Sequence, residues 1–213
     1  MKAVIFDMDG VIIDSEPIHN RLLLDTFSKY KIPFDVKDFD LYVGTTTPSL
    51  FKKLIATHNL KPTLAELLEY QSKITLAAMA DDTLEPIEGI RELLQLLKDR
   101  NIPTAIASSS SLDLIMTVVE KFGLTDYFQC YTSGEDLLHS KPDPAIYLLT
   151  AEKLGVNPRD CLVIEDAKLG VQAAKAANMT CIGFHNPNSG NQDLSKADMI
   201  VNKISEIKKR LSR

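Results

Sequence analysis

The stretch Ala3-Val4-Ile5-Phe6-Asp7-Met8-Asp9-Gly10 decides how this chain is read. Four consecutive apolar residues, followed by two acids and a glycine, predict a short strand buried on both faces. In an extended chain, residues i and i+2 point to the same side, about 6.5–7 Å apart. Asp7 and Asp9 therefore project together past the carboxyl end of that strand, where ligands bind in open α/β sheets. Two carboxylates there can supply a nucleophile, a proton donor and oxygen ligands for a metal ion. The plainer reading of such acids is a cap on the turn or helix that follows.

Two textures follow. From Ser15 to about Asp81 the pattern is helical. Ile18, Leu22, Leu23, Phe27 and Tyr30 form one stripe, with Ser15 as N-cap and Pro17 in the first turn. Leu50, Phe51, Leu54 and Ile55 form a second, and Leu64, Leu67, Leu68 and Ile74 a third behind Thr63. From about Asp82 helix and strand alternate. Strands are predicted at Pro103–Ala107, Tyr127–Thr132, Cys161–Ile164 and Cys181–Phe184, with an edge strand at Asp198–Val201. Asp143-Pro144 reads as N-cap and first residue of a helix. This alternation predicts an α/β fold: a Rossmann-like parallel sheet with helices on both faces. The helical stretch becomes an insertion. The expected organisation is a discontinuous core, 1–14 and 82–213, and an α-helical cap domain, 15–81.

Composition narrows the function. Lys and Arg number 24 against 29 Asp and Glu, a net charge of −5, so no basic field attracts nucleic acid. No apolar run approaches the roughly 20 residues that cross a bilayer, and the amino terminus does not read as a signal peptide. Cys130, Cys161 and Cys181 lack metal-ligand spacing and sit in apolar runs, as reduced core residues of a cytoplasmic protein do. His58, His139 and His185 read as structural or solvent-facing.

Further polar groups fall at the same sheet edge as Asp7 and Asp9. Ser108 to Ser111 follow one predicted strand, Glu165-Asp166 another, and Lys141 stands in Ser140-Lys141-Pro142. With Phe6-Asp7-Met8-Asp9-Gly10 and the Asp14–His19 stretch, these resemble the haloacid dehalogenase superfamily of phosphohydrolases. The subgroup it resembles contains β-phosphoglucomutase and small sugar-phosphate phosphatases. The resemblance spans essentially the whole chain.

It implies specific roles. Asp7 would attack phosphorus and form an aspartyl-phosphate. Asp9 would protonate the leaving oxygen and then deprotonate the attacking water. Asp7, Asp166 and the Asp9 carbonyl would hold Mg²⁺, with Glu165 as a further ligand, direct or through water, or as a carboxylate behind the ligands. Lys141 would offset the charge of Asp7 and the phosphoryl group. The Ser108 hydroxyl and Ser109 amide would bind phosphoryl oxygens, while Ser110 and Ser111 read as helix-capping residues. Gly44 marks a substrate-facing segment of the insertion. His19 stands at the position of a hinge histidine, either facing the substrate or exposed in the first helical turn.

The resemblance also departs from the mutase. β-Phosphoglucomutase carries a lysine before the cap glycine and an arginine after it; here those positions are Val43 and Thr47. Threonine lacks the charged fork that suits phosphate. The expectation is a Mg²⁺-dependent phosphatase of a small phosphorylated metabolite, a sugar or nucleoside phosphate, acting as a monomer or weak dimer. A β-phosphoglucomutase-like phosphotransferase is the alternative, and a non-catalytic phosphometabolite-binding protein a third reading.

Overall fold

A computed structural model describes residues 1–34, 47–81, 84–135 and 137–212. The chain divides into two compact units, one comprising Met1–Glu16 with Ala80–Arg213, the other Pro17–Met79.

The first unit is built on a six-stranded parallel sheet. Its strands are β1 (Ala3–Phe6), β2 (Thr104–Ser108), β3 (Cys130–Ser133), β4 (Cys161–Glu165), β5 (Thr180–Phe184) and β6 (Met199–Val201), in the order β3-β2-β1-β4-β5-β6. Strand order reverses between β1 and β4, which makes the crevice above their carboxyl ends the expected ligand site. Every residue of β1, β2 and β4 is buried, odd and even alike, so both faces of the sheet are covered. The covering helices are α4 (Ile90–Asp99), α5 (Leu112–Lys121), α6 (Ala145–Leu154), α7 (Lys168–Ala176) and α8 (Ile204–Leu211). On one face Ile146 and Tyr147 of α6 and Val171 and Ala174 of α7 pack on Ile5, Val163 and Cys181. Cys161 and Cys181 are buried and Cys130 half-buried, all as free thiols. Burial pushes the Cys161 thiol up to about 11.

Some boundaries differ from the sequence reading. Pro103 precedes β2 instead of opening it: it has no N–H for the ladder, but its carbonyl accepts from Val4 N at 3.0 Å. Residues Thr125–Tyr127 form a 3₁₀ turn, so β3 starts at Cys130. Helix α6 starts at Ala145, with Pro144 in the capping position. The Asp143 carboxylate accepts from Ala145 N at 2.9 Å, the first backbone donor past the proline.

The second unit is helical, with α1 (Glu16–Tyr30), α2 (Thr47–His58) and α3 (Leu64–Met79), and no strand occurs among its described residues. Phe27, Ile32, Leu50, Phe51, Leu54 and Leu67 form its core. The start of α3 is a capping box: Thr63 Oγ1 accepts from Glu66 N at 3.2 Å, and Glu66 Oε2 accepts from Thr63 N at 2.7 Å.

Candidate active site

The register of the sheet assembles the site. Phe6 lies level with Ile106 on β2 and with Ile164 on β4. One residue further along, Asp7, Ala107 and Glu165 share a level, and Asp7 N extends the ladder by donating to Ile164 O at 3.0 Å. Acids at the ends of two neighbouring parallel strands thus arrive side by side, because strands lie about 4.8 Å apart.

Lys141 joins them. It follows β3 in the loop that leads to α6, and its peptide bond to Pro142 is cis. Its Nζ lies 2.6 Å from Asp7 Oδ1 and 2.6 Å from Glu165 Oε1, with only a tenth of its side chain exposed. Glu165 is also held by the Tyr147 hydroxyl, which donates to Oε1 at 2.8 Å, and by Ala167 N, which donates to Oε2 at 2.9 Å. The Lys141 ammonium stands 5.1 Å from the centre of the Tyr147 ring. Room for Glu165 depends on Gly170, where a Cβ would lie 1.6 Å from Oε1.

Asp166 accepts from the Ser189 hydroxyl. Asn186, buried after β5, donates to Gly10 O at 3.0 Å and to Asp14 Oδ1 at 3.3 Å. Gly10 has φ +76°, and a Cβ there would lie 1.9 Å from Asp166 Oδ2. The glycine after the two acids is therefore required both by its backbone and by the neighbouring carboxylate.

Asp9 is held by three serines. Ser15 Oγ donates to Oδ1 at 2.7 Å, Ser110 Oγ to Oδ2 at 2.8 Å and Ser108 Oγ to Oδ2 at 3.3 Å. Ser108 ends β2 and is buried, whereas Ser109 is exposed. Ser111 caps α5 by accepting from Leu114 N at 3.3 Å. The structure thus brings Asp7, Asp9, Ser108, Lys141, Glu165 and Asp166 to one edge. His19 lies in α1, in the other unit, and Gly44 lies outside the described residues.

Comparison with known proteins gives the family. The model of the haloacid dehalogenase-like hydrolases matches residues 4–184. The chain belongs to that family.

Among its relatives is hexitol phosphatase B of Escherichia coli K12, 31% identical over 208 residues that span 96% of this chain and 93% of that protein. A phosphorylated carbohydrates phosphatase of Thermotoga maritima is 30% identical, covering 97% of this chain and 96% of its own length. Among solved structures, β-phosphoglucomutase from Clostridium difficile superposes with a TM-score of 0.80 at 25% identity, over the full length of both chains.

As a haloacid dehalogenase-like hydrolase, the chain is an enzyme whose acidic cluster fits a divalent cation. One carboxylate oxygen from each of Asp7, Glu165 and Asp166 lies within 4.8 Å of the others. Four acids, Asp7, Asp9, Glu165 and Asp166, face one ammonium, Lys141. Burial pushes the Asp7 carboxyl well above its usual range; Lys141 opposes this, and the neighbouring carboxylates add to it. Burial, with Glu165 beside it, pushes Asp166 up to about 7. Burial alone would lower the Lys141 ammonium, but Asp7 and Glu165 outweigh it and raise it. Excess buried negative charge of this kind is relieved by a hard cation with oxygen ligands. A carboxylate has about four acceptor sites. Three of those on Glu165 are taken, which leaves it little capacity to bind a cation directly.

Four contributors escaped the sequence reading. Ser110 was expected only to cap, but it holds Asp9. Ser15 was expected to cap α1, and its hydroxyl donates to Asp9. Tyr147 carries no signal beyond its place in the apolar stripe of α6. Ser189 lies in a polar loop whose proximity to Asp166 depends on how β5 pairs with β4.

Proposed function

We propose that the chain is a Mg²⁺-dependent phosphatase of small phosphorylated sugars, acting through a phosphoryl group carried on Asp7. The observation that carries this reading is the pairing of Asp7 with Lys141 at 2.6 Å, beside Glu165 and Asp166. A carboxylate so placed, with its charge met by a fixed ammonium, is equipped to attack a phosphate monoester that would otherwise repel it. The relatives named as sugar-phosphate phosphatases support the substrate class.

Each residue then has a task. An Asp7 oxygen bonds to phosphorus as the ester P–O bond breaks, and Asp9 gives its proton to the leaving oxygen. Water then loses a proton to Asp9 and attacks the same phosphorus, which releases inorganic phosphate and restores the Asp7 carboxylate. Ser110 and Ser15 orient Asp9 for both proton transfers. Ser108 and the Ser109 amide bind the phosphoryl oxygens, and Lys141 neutralises charge on Asp7. Asp7, Asp166 and the Asp9 carbonyl would hold Mg²⁺, with Glu165 behind them. When bound, the ion supplies charge stabilisation to the phosphoryl oxygens.

Residues 15–81 form the substrate-selecting insertion in this reading, with His19 and the segment around Gly44 as its contributors. The uncharged Val43 and Thr47 favour transfer to water over transfer to a second sugar phosphate.

A panel of hexitol, hexose and nucleoside monophosphates with Mg²⁺, read as phosphate release, tests the assignment. Turnover of a sugar phosphate, abolished in Asp7→Asn, is expected. Full activity in Asp7→Asn overturns it. Rapid conversion of β-glucose 1-phosphate to glucose 6-phosphate with a bisphosphate primer would establish the phosphotransferase instead.

A further inference from the structure

We propose a second ligand site at the opposite end of the sheet, for a small apolar molecule that carries one anionic group. A cavity of about 370 Å³ lies where β4, β5 and β6 begin, beside α8. It is a strand's length from Glu165, roughly 13 Å along β4 at about 3.3 Å per residue. Its volume falls within the range of about 300–1,000 Å³ typical of small-molecule sites, which combine apolar walls with a few polar groups. Ile182, Met199 and Ile207 supply apolar wall.

The charges around it are not balanced. Two acids line the cavity, and both are already matched: Asp160 by Lys2 at 2.8 Å and Asp198 by Lys175 at 2.6 Å. Two arginines, Arg159 and Arg210, also line it, and neither guanidinium has an ion pair among the described residues. The carboxyl end of a helix disfavours anions. Here the Leu211 carbonyl at the end of α8 already accepts from the Arg100 guanidinium. Among the described residues the surplus charge at the cavity is therefore positive and borne by guanidinium forks, which suit a carboxylate, sulfonate or phosphate oxygen pair. The apolar wall excludes a bare inorganic ion as the preferred occupant, because such an ion would leave that surface wet. An apolar body with one anionic end satisfies both features. No residue of this site belongs to the acidic cluster, so the inference stands apart from the phosphatase assignment.

The test uses 8-anilinonaphthalene-1-sulfonate, an aromatic body with one sulfonate, titrated into the folded full-length chain and read by fluorescence. Saturable binding of one probe per chain, unaffected by excess inorganic phosphate, is expected. In Arg159→Ala/Arg210→Ala the dissociation constant should rise about tenfold or more, as the loss of charge-assisted contacts predicts. Both arginines are exposed, so an unchanged thermal midpoint verifies the fold of the variant. Absence of saturable binding, displacement by phosphate, or an unchanged dissociation constant in the folded double variant would each overturn the site.

Discussion

Tyr147 and Lys141 meet on a single atom: both donate to Glu165 Oε1, at 2.8 and 2.6 Å. A buried tyrosine and a half-buried lysine together hold a buried carboxylate, and the lysine passes that restraint to Asp7. The position of Asp7, the proposed nucleophile, is thus set from the core of α6 as well as from the end of β1.

Tyr147→Phe keeps the ring and its packing but removes one donor from Glu165. Leaving a buried charged acceptor short of a partner costs about 1–3 kcal/mol. Urea denaturation should show a loss in that range with an unchanged slope. A variant as stable as the parent would mean that the hydroxyl contact carries no net weight.

Lys141→Ala removes the one ammonium that, among the described residues, faces the four acids. Breaking a buried pair from one side costs about 3–5 kcal/mol. Metal-free protein should lose stability on that scale, Mg²⁺ should restore part of it, and phosphatase turnover should be lost. Thermal melts with Mg²⁺ and with a chelator check the first two outcomes, and phosphate release checks the third.

Adjacent serines should separate cleanly. Ser110→Ala takes a 2.8 Å hydrogen bond from Asp9 and should lower kcat about tenfold or more through misplacement of the acid, with little change in stability. Ser111→Ala removes the cap of α5 and should cost about 1 kcal/mol in stability with kcat retained. Equal effects on kcat from the two variants would refute the division of labour.

The pH dependence follows from Asp166, held up at about 7 by burial and Glu165, against about 3.9 in an unfolded chain. Between those values the folded, metal-free protein keeps a proton that the unfolded chain has lost. This contribution to stability is complete below about pH 4 and is lost as pH rises through about 7. A cation must displace that proton, so stabilisation by Mg²⁺ should grow from pH 5.5 to pH 8. Thermal shift on Mg²⁺ addition across this interval measures it, and a shift of the same size at both ends counts against Asp166 as a ligand.

Gly170→Ala would place a Cβ 1.6 Å from Glu165 Oε1, so the carboxylate must move and release Lys141. Overpacking of this kind costs about 1–3 kcal/mol. Activity should fall along with stability. Calorimetry and an assay on the same preparation would show whether the two losses travel together.

Much of the core was legible from local pattern. Ala3–Phe6 is short and wholly apolar, so it reads as a central parallel strand, and β1 lies between β2 and β4. The acids follow it at a strand end because the period of two puts them there. Ser110 was misread because a serine before a helix has the same local signature whether it caps or reaches across to another strand's acid. Its true partner lies 101 residues earlier.

Sequence alone determined the parallel core, the helical stretch and the residue types at the carboxyl edge of the sheet, since each follows from periodicity and from chemistry local to a few residues. Only the tertiary structure decided which donors hold which acids. Sheet register aligned Asp7 with Glu165, the loop before α6 delivered Lys141 between them, and the buried face of α6 supplied Tyr147. Such pairings depend on distances across strands about 4.8 Å apart, whose partners are distant in the chain.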